Sequence, residues 1–146
     1  MNKRKIVSIL LLITGLILSV TFILKIEFPQ SFEPYFKREY YNKFGALAIS
    51  LELIFASYYL LTEHKKTNLA LAIFGFTALL DPIFNIIGLF KSIVPIYGTI
   101  ILTICAIVSL YLAFANTFKL KPLSYLATIL SIVLSVIIEF FFNYFQ

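Results

Sequence analysis

The sequence predicts an all-α membrane protein: five transmembrane helices in a compact bundle, with a cytoplasmic amino terminus and the carboxyl terminus outside. Three observations predict it. Hydrophobic residues make up 61% of the 146 residues and charged residues only 13%, which is more apolar sequence than a soluble domain of this size can use. The apolar residues fall into blocks close to the roughly 20 residues that a helix needs to cross about 30 Å of hydrocarbon. The charges collect between the blocks, where water and headgroups solvate them.

The first helix is expected over residues 6–24, after Met1-Asn2-Lys3-Arg4-Lys5. A basic start and an apolar run also describe a signal peptide. This run exceeds the usual length, however, and no A-x-A-like site follows it, so it reads as an uncleaved span. Residues 25–43 form the only long connection. They carry Phe28, Phe32, Tyr35, Phe36, Tyr40 and Tyr41 among mixed charges, with Pro29 and Pro34. Aromatics at steps of three and four would give a helix one apolar face, so this segment reads as an interfacial aromatic loop. It sets helix depth, or else serves as a lid or a docking face.

The second helix is expected over 44–62, before the basic turn Glu63-His64-Lys65-Lys66, and the third over 68–90, NLALAIFGFTALLDPIFNIIGLF. Near the middle of the third stand Asp81 and Pro82, with Asn85 one turn on. Proline lacks the N–H that would bond one turn back, so Pro82 predicts a helix kink. Residues 91–95 connect to a fourth helix over 96–118. Lys119-Leu-Lys121-Pro122 breaks the chain before the fifth, over 124–145. The whole chain, 1–146, reads as one integral membrane domain without an internal repeat, and an odd helix number excludes a simple inverted pair.

Orientation follows from the cations. With the amino terminus inside, the inner side holds Lys3, Arg4, Lys5, Lys65, Lys66, Lys119 and Lys121. The outer side holds Lys25, Lys37, Arg38, Lys43 and Lys91. That bias fits the positive-inside rule. The net charge of +5 therefore points to topology, not to nucleic acid. One cysteine, Cys105, and one histidine, His64, give no basis for a disulfide, a zinc site or a Cys–His pair. No catalytic residue, metal or cofactor is expected. Richness in Ile, Phe, Lys and Asn is that of an AT-rich genome, and the expected location is a bacterial plasma (inner) membrane.

Each helix carries a stripe of small or polar residues. These are Ser8, Gly15 and Ser19 in the first, and Gly45, Ala48, Glu52, Ala56 and Tyr59 in the second. The third has Ala70, Thr77, Ala78, Asp81, Asn85 and Gly88; the fourth has Thr99, Thr103, Ala106, Ala113 and Asn116. The fifth has Ser124, Thr128, Ser131, Ser135, Glu139 and Asn143. Small residues let backbones approach, and hydroxyls bond across the contact, so the stripes should face inward as packing seams.

The acids stand apart from this pattern. Glu52 and Asp81 are expected near mid-depth and Glu139 nearer the outer surface, with no Lys or Arg inside any apolar block. A carboxylate there must take a proton or find a cation. Asp81, Glu52, Asn85 and Glu139 are therefore the candidate intramembrane proton, cation or polar site, with Pro82 as the kink beside it.

Gly45-Ala-Leu-Ala-Ile-Ser-Leu-Glu52 followed by Lys65-Lys66 resembles part of the small DoxX-like membrane proteins, over less than half of the chain. Their usual helix number is four, and the resemblance carries over no functional residue. The leading functional expectation is a non-enzymatic accessory or assembly subunit that binds other membrane components, as lipid, a membrane-protein partner or a homo-oligomer. The alternative is a small proton- or cation-coupled transporter or channel using the mid-membrane carboxylates. An intramembrane enzyme would lack a nucleophile, a base and a metal cluster.

Overall fold

In hydrocarbon the backbone has to satisfy its own polar groups, and helices do so within one segment. The computed structural model describes residues 2–143 and is all-helical among them. Six α-helices follow in order: α1 (Lys3–Ile23), α2 (Arg38–Asn42), α3 (Gly45–Leu61), α4 (Thr67–Ile86), α5 (Ile96–Phe114) and α6 (Tyr125–Asn143). A 3-10 turn, Glu33–Phe36, precedes α2. Helices α1, α4, α5 and α6 are long and apolar enough to cross a membrane, and α3 is a shorter apolar helix of 17 residues. The chain is a small multi-pass membrane protein.

Helix α4 is the hub. It packs against α3, α5 and α6, while α1 packs against α3. The interior is filled by Leu53, Ala56, Leu60, Leu71, Ala72, Phe74 and Ala106, all fully enclosed. The exposed faces carry Leu10, Ile17, Ile104, Ile107, Leu126 and Ile137. Apolar side chains on the outside suit lipid, and small residues make the contacts within. A Cβ at Gly15 would lie 2.9 Å from Ile54 Cγ1, and one at Gly75 would lie 2.5 Å from Leu110 Cγ. Those glycines let α1 approach α3 and α4 approach α5.

The helix ends cluster at two levels. The basic end holds the start of α1, residues 62–66 and residues 115–124. There the Arg4 guanidinium donates to the carbonyls of Leu60 and Leu61 and pairs with Glu63. A cation at a helix carboxyl end satisfies orphan carbonyls and complements the dipole. The Asn68 amide donates to Asn116 Oδ1 and to the Lys121 carbonyl, each at 2.9 Å. At the opposite, aromatic end, Lys25 Nζ donates to the Tyr97 hydroxyl at 2.7 Å, and Phe22 stacks on Tyr97.

The helix boundaries differ from expectation for local reasons. Helix α1 begins at Lys3 instead of residue 6, because Asn2 Oδ1 accepts the Arg4 N–H at 3.2 Å and caps it. Helix α4 stops at Ile86, not residue 90. Gly88 adopts φ +77°, its N–H donates to the Asn85 carbonyl and the Leu89 N–H donates to the Phe84 carbonyl. That pair of bonds is a Schellman ending. Nothing lies within 4 Å of a Cβ placed on Gly88, so it is a backbone residue and not the packing residue expected.

Helix α5 stops at Phe114 instead of 118, with Asn116 at φ +46° and the Thr117 N–H donating to the Leu112 carbonyl. Asn116 thus lies beyond the helix whose stripe it was expected to join. Helix α3 ends at Leu61, where Glu63 at φ +56° and the bond from His64 N–H to the Tyr59 carbonyl close it. Ser124 Oγ accepts the Ala127 N–H at 3.0 Å at the start of α6. Residues 144 and 145 of the expected fifth span lie outside the described residues. The aromatic segment is two short pieces, not one continuous helix. Tyr40 is enclosed by Tyr35, Tyr41 and Phe44, whereas Phe28, Phe32 and Phe36 are exposed.

Candidate polar site

Asp81 is not at mid-depth in its helix. It is five positions before Ile86, the end of α4, roughly 8 Å of helix, so it lies toward the aromatic end. It is nonetheless 3% exposed. The Schellman turn explains both facts, because it throws the chain back over the helix end. Ser92 Oγ then donates to Asp81 Oδ2 at 2.6 Å. Ser92 is held in turn by its own N–H donating to Asn85 Oδ1 at 3.0 Å and by Val94 N–H donating to its hydroxyl at 3.1 Å. Asn85 is exposed and braces the connector instead of facing the bundle interior. Pro82 lies inside α4 beside Asp81.

Glu139 is the most enclosed of the three acids, 2% exposed. Its carboxyl faces that of Asp81 closely enough for the two to interact. Asn143 Nδ2 donates to Glu139 Oε2 at 3.1 Å from one turn further along α6. Glu52, on α3, is half-buried, with Thr77 beside its carboxyl and Glu139 within Coulombic reach. Its Oε2 is enclosed and lacks a hydrogen-bond partner. Glu139, the acid with the least prominent place in the sequence, thus lies within reach of acids on two other helices, Asp81 and Glu52.

Asp81 borders a cleft of about 270 Å³, lined also by Asn85, Lys91, Ser92 and Thr99. It reaches Asp81 from the aromatic end, and Lys91 puts a cation on its wall. Toward the basic end, Leu53, Leu60, Leu71 and Phe74 are fully enclosed. Among the described residues no group of three or more His, Cys, Asp or Glu is arranged to hold a metal ion.

The stripes divide unevenly. In α6 the buried residues are Ser131, Ser135, Glu139 and Asn143, all from the expected stripe. The Ser135 hydroxyl can donate across to the Ile73 carbonyl of α4 at 3.0 Å. In α1, Ser8, Gly15 and Ser19 are buried as expected. In α4, Thr77, Ala78 and Asp81 are buried, while Asn85 and Gly88 are exposed. In α3 only Gly45 and Ala56 of the stripe are buried, and Ser50 and Ser57 join them instead. In α5 Ala106 and Ala113 are buried together with Ser109. Sequence reasoning missed Arg4 and Ser92 as structural donors. Both are polar residues beside helix termini, and nothing local says which distant carbonyl or carboxyl they reach.

The chain matches no family model, no curated protein and no solved structure.

Proposed function

We propose that the protein is a non-enzymatic, five-span membrane protein whose Asp81–Glu139–Glu52 centre binds and releases a proton from the outer side. On this reading the basic end is cytoplasmic and α3 crosses with the other four helices. Its carboxyl end meets Arg4 at the start of α1, and its amino end lies beside Phe22 and Ile26 at the other end of α1. The observation that carries the proposal is the placement of Asp81, bonded to Ser92 on the cleft wall and with the buried Glu139 within reach behind it. A proton arriving through the cleft has a first acceptor and a second one behind it. A shared proton suits this arrangement better than a coordinated cation, because the three carboxyls do not form a metal-ligating group. The packed leucines toward the basic end mean that transport across the membrane needs a second conformation, in which α6 shifts on α4.

The test is proton flux in liposomes carrying a trapped pH dye, with Asp81→Asn and Glu139→Gln. Both variants keep the shape of the site while removing its protons. Flux should fall to the level of empty vesicles in each. Flux equal to that of the unmodified protein in both variants would end this reading.

A specific observation also supports the accessory-subunit reading. Helix α6 buries only its four-residue polar stripe and leaves Leu126, Leu130, Val133, Ile137 and Phe141 exposed. That face meets lipid or another protein. Purification from native membranes in mild detergent distinguishes the two: a fixed, near-equimolar partner supports the subunit reading, and a protein that emerges alone removes it.

A further inference from the structure

Two connections far apart in sequence meet at the basic end, residues 62–66 and residues 115–124. Between them is a cleft of about 190 Å³, in which Lys65, Lys66 and Lys121 surround Leu69, Leu123 and Ala127. The two walls are tied together by Asn68, whose amide bonds Asn116 and the Lys121 carbonyl. Three lysines are therefore brought to line one cleft by the fold.

Their charge is not answered by the chain itself. Among the described residues none of the three lysines forms an ion pair, and the neighbouring Glu63 carboxylate is paired with Arg4. Like charges held together without a counter-ion repel, and an anion placed between them relieves the repulsion. The amino end of α6 opens on the same cleft at Ser124, which adds the positive end of a helix dipole. Leu69, Leu123 and Ala127 give the cleft an apolar floor, and the exposed Tyr125 and Leu126 continue it onto the lipid-facing surface. A charged rim over an apolar floor, at the level of the headgroups, matches an amphiphile better than a small soluble anion.

We infer that this cleft binds the phosphate of an anionic phospholipid, with Lys65, Lys66 and Lys121 around the phosphate and the glycerol end over Leu69 and Ala127. The site lies at the opposite end of the bundle from the acid centre and does not depend on the function proposed for it.

Native mass spectrometry of the protein from micelles containing equal phosphatidylglycerol and phosphatidylcholine tests the assignment. The unmodified protein should retain phosphatidylglycerol in preference. Replacing the lysines with Gln should weaken that retention by about fivefold each. Lys3→Gln with Lys5→Gln removes two cations from the same end outside the cleft, and should leave retention unchanged. Ala127→Leu fills the floor without altering charge, and should lower retention even if the lysine variants fold poorly. Equal retention of the two lipids, or equal loss from the cleft lysines and from Lys3 and Lys5, would overturn the inference. The same result follows if inorganic phosphate displaces the retained lipid or stabilises the protein while phosphatidylglycerol does not bind, since the occupant is then free phosphate.

Discussion

Arg4→Met should destabilise the protein far more than the loss of either neighbouring lysine. The three cations Lys3, Arg4 and Lys5 are equivalent for topology, but only Arg4 is buried, at 6% exposure. Its guanidinium holds the Leu60 and Leu61 carbonyls, which belong to the last turn of α3. A hydrogen bond from a charged donor contributes about 1.5–3 kcal/mol. Leu60 is fully enclosed, so its carbonyl would lose its partner outright, whereas Leu61 is half-buried and water can replace part of the bond. The Glu63 side chain is 61% exposed, and an ion pair with so exposed a partner adds about 0–1 kcal/mol. The sum is about 2–4 kcal/mol, or roughly 6–15 °C in the unfolding midpoint of a chain this size.

Cys105 supplies the assay. It is the only cysteine and is buried, so reaction with a thiol-specific fluorophore during heating in detergent reports unfolding. Lys5→Met, at an exposed position, should stay within about 0.5 kcal/mol. Arg4→Lys should fall between, because one ammonium has less reach and no fork to serve two carbonyls. Equal midpoints for Arg4→Met and Lys5→Met would refute the bracing of α1 on α3.

Two further outcomes follow from the glycines, read by the same thiol assay. Gly75→Ala gains about 1 kcal/mol of helix propensity, but the new Cβ meets Leu110 Cγ at 2.5 Å and the Ala106 carbonyl at 3.2 Å. Overpacking of about 1–3 kcal/mol should win, and a raised midpoint would show that α4 and α5 part without loss. Gly88→Ala meets no neighbour but must adopt φ +77°, so it should cost about 1 kcal/mol through the backbone alone. Gly88→Asn should recover part of that, and an undisturbed Gly88→Ala would argue against the Schellman ending.

The resolution of sequence signals differed with their range. The polar face of α6 was legible because Ser131, Ser135, Glu139 and Asn143 repeat every four residues, and a helix turns that spacing directly into one face. The same logic failed on α3, where the stripe through Ala48, Glu52 and Tyr59 is only half-buried and Ser50 and Ser57 are enclosed. In a helix apolar nearly all round, the pattern does not say which side meets lipid. Asn85 was read as facing inward and Gly88 as a packing residue, because a helix running to residue 90 would place both on the stripe. One glycine in the left-handed region ended the helix earlier and changed the role of each.

The sequence by itself determined that this chain is helical, multi-pass and carboxylate-bearing in its apolar segments, because those properties follow from composition and from spacing within single helices. Only the tertiary structure decided that Glu139 lies within reach of both Asp81 and Glu52, that Ser92 closes over Asp81, and that Arg4 braces α3. Each of these joins residues on different elements, and Arg4 and Glu139 reach partners tens of residues away. Such contacts depend on which helices lie side by side, and that is settled by the fit of Gly15 against Ile54 and Gly75 against Leu110, not by any local pattern.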